Sequence, residues 1–191
     1  YPHLLPVPIG FIDSRPQLEP WKKHQIFKDI VKQTYGVKRK HLLYMDFRVR
    51  THVEHRTACR NHFLNRSWVY DMTVLGERPN DGIMPRESRM NTALSKYVAS
   101  PPGTGIDCHR IYESMYLGAI PIVIDTPLTY FYKNLPIIIV QQWDQITENY
   151  LMRTYKKHKM KLDTWKKRYP NWTKAEFWLS GGATGPFNSY I

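Results

Sequence analysis

From residue 41 onward the chain alternates short, unbroken apolar runs with helix-length amphipathic stretches. Ile120-Pro-Ile-Val-Ile124 and Leu135-Pro-Ile-Ile-Ile-Val140 carry no polar residue to face solvent, and such runs belong to strands covered on both faces. Strands are predicted at 41–47, 67–74, 96–99, 119–124 and 136–140, with helices between them at 52–63, 87–94, 108–117 and 147–157. An earlier helix is predicted over 20–35, with Trp21, Phe27, Ile30 and Val31 as its apolar side, and a Pro-rich extended segment at 4–12. Strands alternating with helices give βαβ units. The expected fold is α/β, a Rossmann-like, mainly parallel sheet with helices on both faces. Residues 1–169 are expected to form one domain and 170–191, containing Ser-Gly-Gly-Ala-Thr-Gly-Pro, an irregular tail.

Composition sharpens this picture only in places. The chain has 191 residues and a formal net charge of +12, which suits one domain and favours phosphate-bearing partners. The surplus is local. Residues 151–170 hold eight Lys/Arg against one Asp, and 19–40 hold seven against two acids, while 101–150 are net acidic. No apolar run is long enough to cross a bilayer. Cys59 and Cys108 form no Cys-x-x-Cys pair and are expected to be free thiols. The opening Tyr1-Pro-His-Leu-Leu-Pro lacks the basic-then-apolar order of a secretory signal, so a processed or excised chain is expected. The sequons at Asn65 and Asn171 read as chance occurrences.

The chemistry concentrates in Ser100-Pro-Pro-Gly-Thr-Gly-Ile-Asp-Cys-His-Arg-Ile-Tyr-Glu113. A strand ends, a Pro/Gly loop follows, and a helix begins. Asp107 is the expected N-cap, with Ile106 and Ile111 as a hydrophobic staple. Gly103 and Gly105 are expected at positive φ or in close backbone contact with a ligand. The helix N-terminus behind them offers free N–H donors to a phosphate. His109, Arg110 and Glu113 share one helix side by spacing, expected to be exposed. An Arg fork suits diphosphate oxygens and a carboxylate suits ribose hydroxyls. The same spacing also describes an ordinary solvated charge pair.

This run, continued by Leu117-Gly-Ala-Ile-Pro-Ile-Val123, resembles the donor-site motif of exostosin-like glycosyltransferases of the GT-B fold. There the segment recurs as Ser-Pro-x-Gly-x-Gly-x-Asp-x-His-Arg-x-x-Glu, then Leu-Gly-x-Ile-Pro-Ile-Val. Pro6-Val-Pro-Ile-Gly10, Leu42-Leu-Tyr-Met-Asp-Phe47 and Gln142-Trp-Asp-Gln145 resemble other parts of the same C-terminal, nucleotide-sugar-binding domain. The resemblance implies transfer of a sugar from a nucleotide-diphosphate sugar, the co-substrate, with no further cofactor. It implies a donor site of Ser100, Gly103, Thr104, Gly105, Asp107, His109, Arg110 and Glu113. Arg110 and the amides of 103–105 would hold the diphosphate, and Glu113 the ribose or sugar hydroxyls. His109 would lie beside phosphate or sugar, and Arg110 and His109 would be catalytic. No Asp-x-Asp pair occurs, which agrees with metal-independent stabilisation of the leaving diphosphate by Arg110 and the helix N-terminus. The partners implied are the nucleotide sugar and an acceptor-binding domain or partner chain, since the family's N-terminal acceptor domain is not in this sequence. A secretory member would work in the Golgi lumen; otherwise the compartment is cytoplasmic or organellar.

A second reading is a non-catalytic basic subunit of a ribonucleoprotein or other large assembly, keeping the fold and laying Lys-rich 151–170 on RNA. It requires the surpluses of 19–40 and 151–170 to form one continuous face. Tyr155, Trp165 and Tyr169 would supply stacking. An unrelated nucleotide-binding enzyme fits less well, because the loop lacks both the third glycine of a dinucleotide fingerprint and the Gly-Lys-Ser/Thr of a P-loop.

Overall fold

A computed structural model describes residues 9–10, 20–76 and 86–179. Most of the segment predicted at 4–12 and the tail from 180 onward lie outside the described residues. Five strands form one sheet: β1 (His41–Met45), β2 (Val69–Asp71), β3 (Ser95–Ala99), β4 (Ile120–Ile124) and β5 (Ile138–Val140). All neighbours are parallel, in the order β2-β1-β3-β4-β5. The chain steps from β1 to β2 on one side and then returns to β3 on the other. The β1/β3 boundary is therefore the switch point, where open parallel sheets hold ligands beyond the carboxyl ends of their strands.

The helices are α1 (Pro20–Gln33), α2 (Val53–Phe63), α3 (Arg86–Ala93), α4 (His109–Tyr116), α5 (Glu148–Arg168) and α6 (Ala175–Leu179). Register fixes which face each one covers. Leu43 pairs with Tyr97 and Tyr44 with Val98, so Leu43 and Tyr97 share one face and Tyr44 and Val98 the other. The Tyr97 hydroxyl donates to the Leu151 carbonyl at 3.1 Å, which puts α5 on the first face. The Tyr44 hydroxyl donates to Ser88 Oγ at 3.4 Å, which puts α3 on the second. Phe27 and Ile30 of α1 pack with Ala93 and Met90 of α3, so α1 also lies on the second face. Val31, expected on the apolar side of α1, is exposed. α1 and α5 thus lie on opposite faces of the sheet, so Lys28 and Lys32 do not continue the basic side of α5, while Arg39, between α1 and β1, reaches Tyr155 of α5.

Two expectations need correction. The helix predicted at 147–157 continues to Arg168. Leu151, Tyr155, His158, Leu162 and Trp165, spaced by three and four, keep a packed side along it, while Lys166, Lys167 and Arg168 complement its C-terminal dipole. Nor is the start of the predicted tail irregular. Trp172 is buried in the main core, and α6 packs Phe177 and Trp178 on it. Aromatic burial outweighs the turn-rich composition nearby.

One lysine is turned inward. Lys166 donates to the Tyr116 carbonyl at 2.9 Å, and burial lowers its pKa from 10.5 to about 8. Folding therefore penalises the charged form. The penalty is full below pH 8 and fades as pH rises toward 10.5. Lys166→Met is expected to raise stability at pH 7 by about 1–3 kcal/mol, the transfer gain less one hydrogen bond. The gap between variant and parent should close by pH 10.5 in paired urea titrations. A gap independent of pH would refute the burial argument.

Candidate functional site

The carboxyl ends of β1 and β3 lead into Asp46-Phe47 and Ser100, on either side of the switch point. Two guanidiniums converge there. Arg56, on the first turns of α2, donates from Nε to the Pro102 carbonyl at 2.8 Å and from Nη1 to the Arg48 carbonyl at 2.7 Å. Arg110, on the first turn of α4, donates from Nη2 to the Asp46 carbonyl. Their central carbons lie 5.5 Å and 5.8 Å from the centre of the Phe47 ring, within cation–π range. Neither forms an ion pair among the described residues. Burial, and after it the positive charge of Arg110, draws the Arg56 guanidinium down to about 10. It stays protonated at neutral pH. Two like charges held together without a carboxylate partner among the described residues are complementary to an anion, because uncompensated buried charge is costly.

Unpaired donors occur on the flanking elements. Ser100 Oγ is buried and makes no hydrogen bond among the described residues. The amides of His109 and Arg110, at the start of α4, make none either. Here N–H donors and the dipole face outward. The other end of the helix is closed. Gly118 at φ +81° follows the last turn, its N–H bonding to Met115 and that of Ala119 to Ser114. That pattern is a Schellman closure.

Several expectations about individual residues change. The N-cap is Cys108, without a side-chain cap bond, so Asp107 stands one residue earlier. Its carboxylate accepts from the Ile9 N–H at 2.8 Å, from the Tyr112 hydroxyl at 3.0 Å and from the Tyr132 hydroxyl at 2.6 Å. The expected Ile106–Ile111 staple gives way to this polar link between Asp107 and Tyr112; Ile106 is exposed and Ile111 buried. Gly103 and Gly105 do not adopt positive φ. Gly103 is needed for space, since a Cβ there would meet Arg56 Nη2 at 2.5 Å. Its N–H is also taken by the Gly105 carbonyl at 2.9 Å, which leaves Thr104 and Gly105 as the exposed part of the loop.

His109 and Glu113 also depart from the shared exposed side. The His109 Nδ1 lies 2.8 Å from the Gly10 carbonyl, which accepts only and so requires Nδ1–H; in the neutral imidazole that leaves Nε2 as an acceptor. Glu113 is 3 % exposed and faces Arg89 on α3, 3.9 Å away. It is a buried partner of that arginine rather than a surface group poised for a ribose. Of the expected residues the structure brings Gly103 and Arg110 together around one centre, while Ser100 Oγ is buried without a partner among the described residues and His109 turns to Gly10. Arg56 joins them, although no local motif of the sequence points to it. Arg56 sits 46 residues from Pro102, and only the crossing of α2 over the sheet reveals their proximity.

Asp107 ties Ile9, α4 and the turn at 127–132 into one unit. Burial first, then the Asp107 charge, raises both Tyr112 and Tyr132 above the ordinary tyrosine range. Asp107→Ala is expected to cost about 2–4 kcal/mol, for loss of hydrogen bonds to a charged group. Asp107→Asn should bring both tyrosines down in an ultraviolet absorbance titration. An unchanged titration together with unchanged stability would show that the carboxylate holds nothing.

Among the described residues no three His, Cys, Asp or Glu side chains gather as metal ligands, and no helix is long and apolar enough to cross a membrane. Both cysteines are free and buried. The chain matches no family model and no curated protein.

Proposed function

We propose that this chain is the donor-binding half of an exostosin-like glycosyltransferase and that it holds the diphosphate of a nucleotide sugar between Arg56 and Arg110. The observation that carries the proposal is the pair of guanidiniums on Phe47, without a carboxylate partner, at the β1/β3 switch point. The first-turn amides of α4 and Ser100 Oγ, unpaired among the described residues, are neutral donors on the elements that flank the pair. Glycosyl transfer breaks the bond between the anomeric carbon and a phosphate oxygen through an oxocarbenium-like state, and negative charge grows on the departing diphosphate. Fixed positive groups at that oxygen lower the barrier because they stabilise the leaving group more strongly than the intact donor. In this reading Arg110 and Arg56 do that work. His109, protonated at Nδ1 by its bond to Gly10, offers Nε2 as an acceptor for a hydroxyl of sugar or acceptor. Glu113 keeps a supporting role through Arg89.

Calorimetric titration of the intact chain with nucleoside diphosphates, the matching monophosphates and their sugar conjugates tests the proposal. Diphosphates should bind more tightly than monophosphates by about tenfold or more, since the second phosphate adds hydrogen bonds to charged donors. At a concentration 100 times Kd the ligand should stabilise the fold by about 2.7 kcal/mol. Failure of every diphosphate to bind at millimolar concentration would sink the proposal.

A further inference from the structure

The donor site leaves the most basic element of the molecule unexplained. α5 is a helix of 21 residues whose inner side is fixed by Leu151 and Leu162. Its outer side exposes Arg153, Lys156, Lys157, Lys161, Lys167 and Arg168. At about 100° per residue these six cations fall within about half the circumference, and they span about 22 Å along the axis. Of the remaining charges, Asp163 lies at the edge of this stripe, about 20° from Lys156, and the others stand apart from it. Lys159 pairs with Asp163 at 2.5 Å, Lys166 is turned inward on Tyr116, and Glu148 lies in the first turn. Two exposed apolar side chains adjoin the cations: Met160, 64 % exposed, lies among them, and Met152, 62 % exposed, lies on the flank of the stripe.

We infer that this face of α5 docks on an anionic lipid surface, cations against the headgroups and Met152 and Met160 entering the interface. A half-circumference of cations on a helix presents many charges to a plane at once, and clusters of four to eight Lys/Arg on such a helix suit an anionic leaflet. The methionines gain by leaving water there, whereas a phosphate backbone offers them nothing. A polynucleotide is the weaker fit. Tyr155, Trp165 and Tyr169, which would stack on bases, are turned inward against Tyr97, Trp172 and Phe177. The second basic helix, α1, lies across the sheet.

Co-sedimentation of the intact chain with vesicles tests the inference, using phosphatidylcholine alone and phosphatidylcholine with 30 % phosphatidylserine. Binding is expected only to the anionic vesicles, falling steeply between 0.1 M and 0.5 M salt. K156Q/K157Q/K161Q/K167Q should lower the partition coefficient more than 100-fold, at about fivefold per cation. M152Q/M160Q should lower it about tenfold while leaving binding of a 30-nucleotide RNA unchanged. Equal binding to both vesicles, or undiminished binding by the fourfold variant with native circular dichroism, overturns the inference. So does RNA binding at 0.15 M salt by a parent chain that ignores anionic vesicles. The parent's own lipid and salt dependence decides the matter if the fourfold variant does not fold. Nucleotide binding is read separately, so either proposal can fail without the other.

Discussion

Arg110→Met is expected to weaken nucleoside diphosphate binding by about 10- to 150-fold, or 1.5–3 kcal/mol, while changing stability by no more than about 1 kcal/mol. The two effects separate because the ligand-free site is electrostatically strained. Removing Arg110 deprives the Asp46 carbonyl of a donor but also relieves the repulsion that lowers the Arg56 pKa. These terms oppose one another in the free protein and act together only on the ligand. Arg56→Met should cost a comparable factor in affinity. It should also destabilise the loop, because the Pro102 and Arg48 carbonyls each lose a donor. Chemical denaturation and calorimetry on the same preparations separate the two quantities. Parallel losses of stability and affinity in Arg110→Met would mean that the arginine serves the fold rather than a ligand.

Gly103→Ala should have the second large effect. The new methyl would stand 2.5 Å from Arg56 Nη2, closer than real Cβ contacts, and the guanidinium cannot simply swing aside while Nε and Nη1 hold two carbonyls. The expected loss is about 2–3 kcal/mol of diphosphate affinity with a similar loss of stability, the cost of an unpaired buried donor. A double-mutant cycle gives this argument its edge. With Arg56 already replaced by Met, adding Gly103→Ala should cost almost nothing, so the two changes are strongly non-additive. Additive effects would show that Gly103 is required for some reason other than room for Arg56.

How much of this could be read before the fold was known depends on the range of the interaction. The parallel sheet was legible because Ile120–Ile124 and its neighbours are apolar at every position, a pattern that only a strand buried on both faces tolerates. The strand-to-helix turn was legible too, since a Pro/Gly loop leads from β3 into His109 and Arg110 at the start of α4. The partners of those residues were not. Asp107 looks like an N-cap by type and position, yet two tyrosine hydroxyls and an amide from residue 9 outcompete the local amides for its carboxylate. Glu113 has helix-surface spacing with Arg110, but packing against α3 takes it inward to Arg89. Gly103 suggested an unusual φ, whereas its true constraint is an arginine from another helix. The length of α5 was hidden for a simpler reason: its dense lysines obscured the inward spacing from Leu151 to Trp165.

The central claim is that one diphosphate lies between Arg56 and Arg110 at the β1/β3 switch point. The most direct measurement is a crystal structure of the intact chain with a nucleoside diphosphate soaked in at ten times its Kd. The account predicts both phosphorus atoms beyond the carboxyl ends of β1 and β3, with phosphate oxygens about 2.7–2.9 Å from nitrogens of both guanidiniums and from a first-turn amide of α4. Density for the nucleotide elsewhere on the molecule, with Arg56 and Arg110 still facing only carbonyl oxygens, would contradict it.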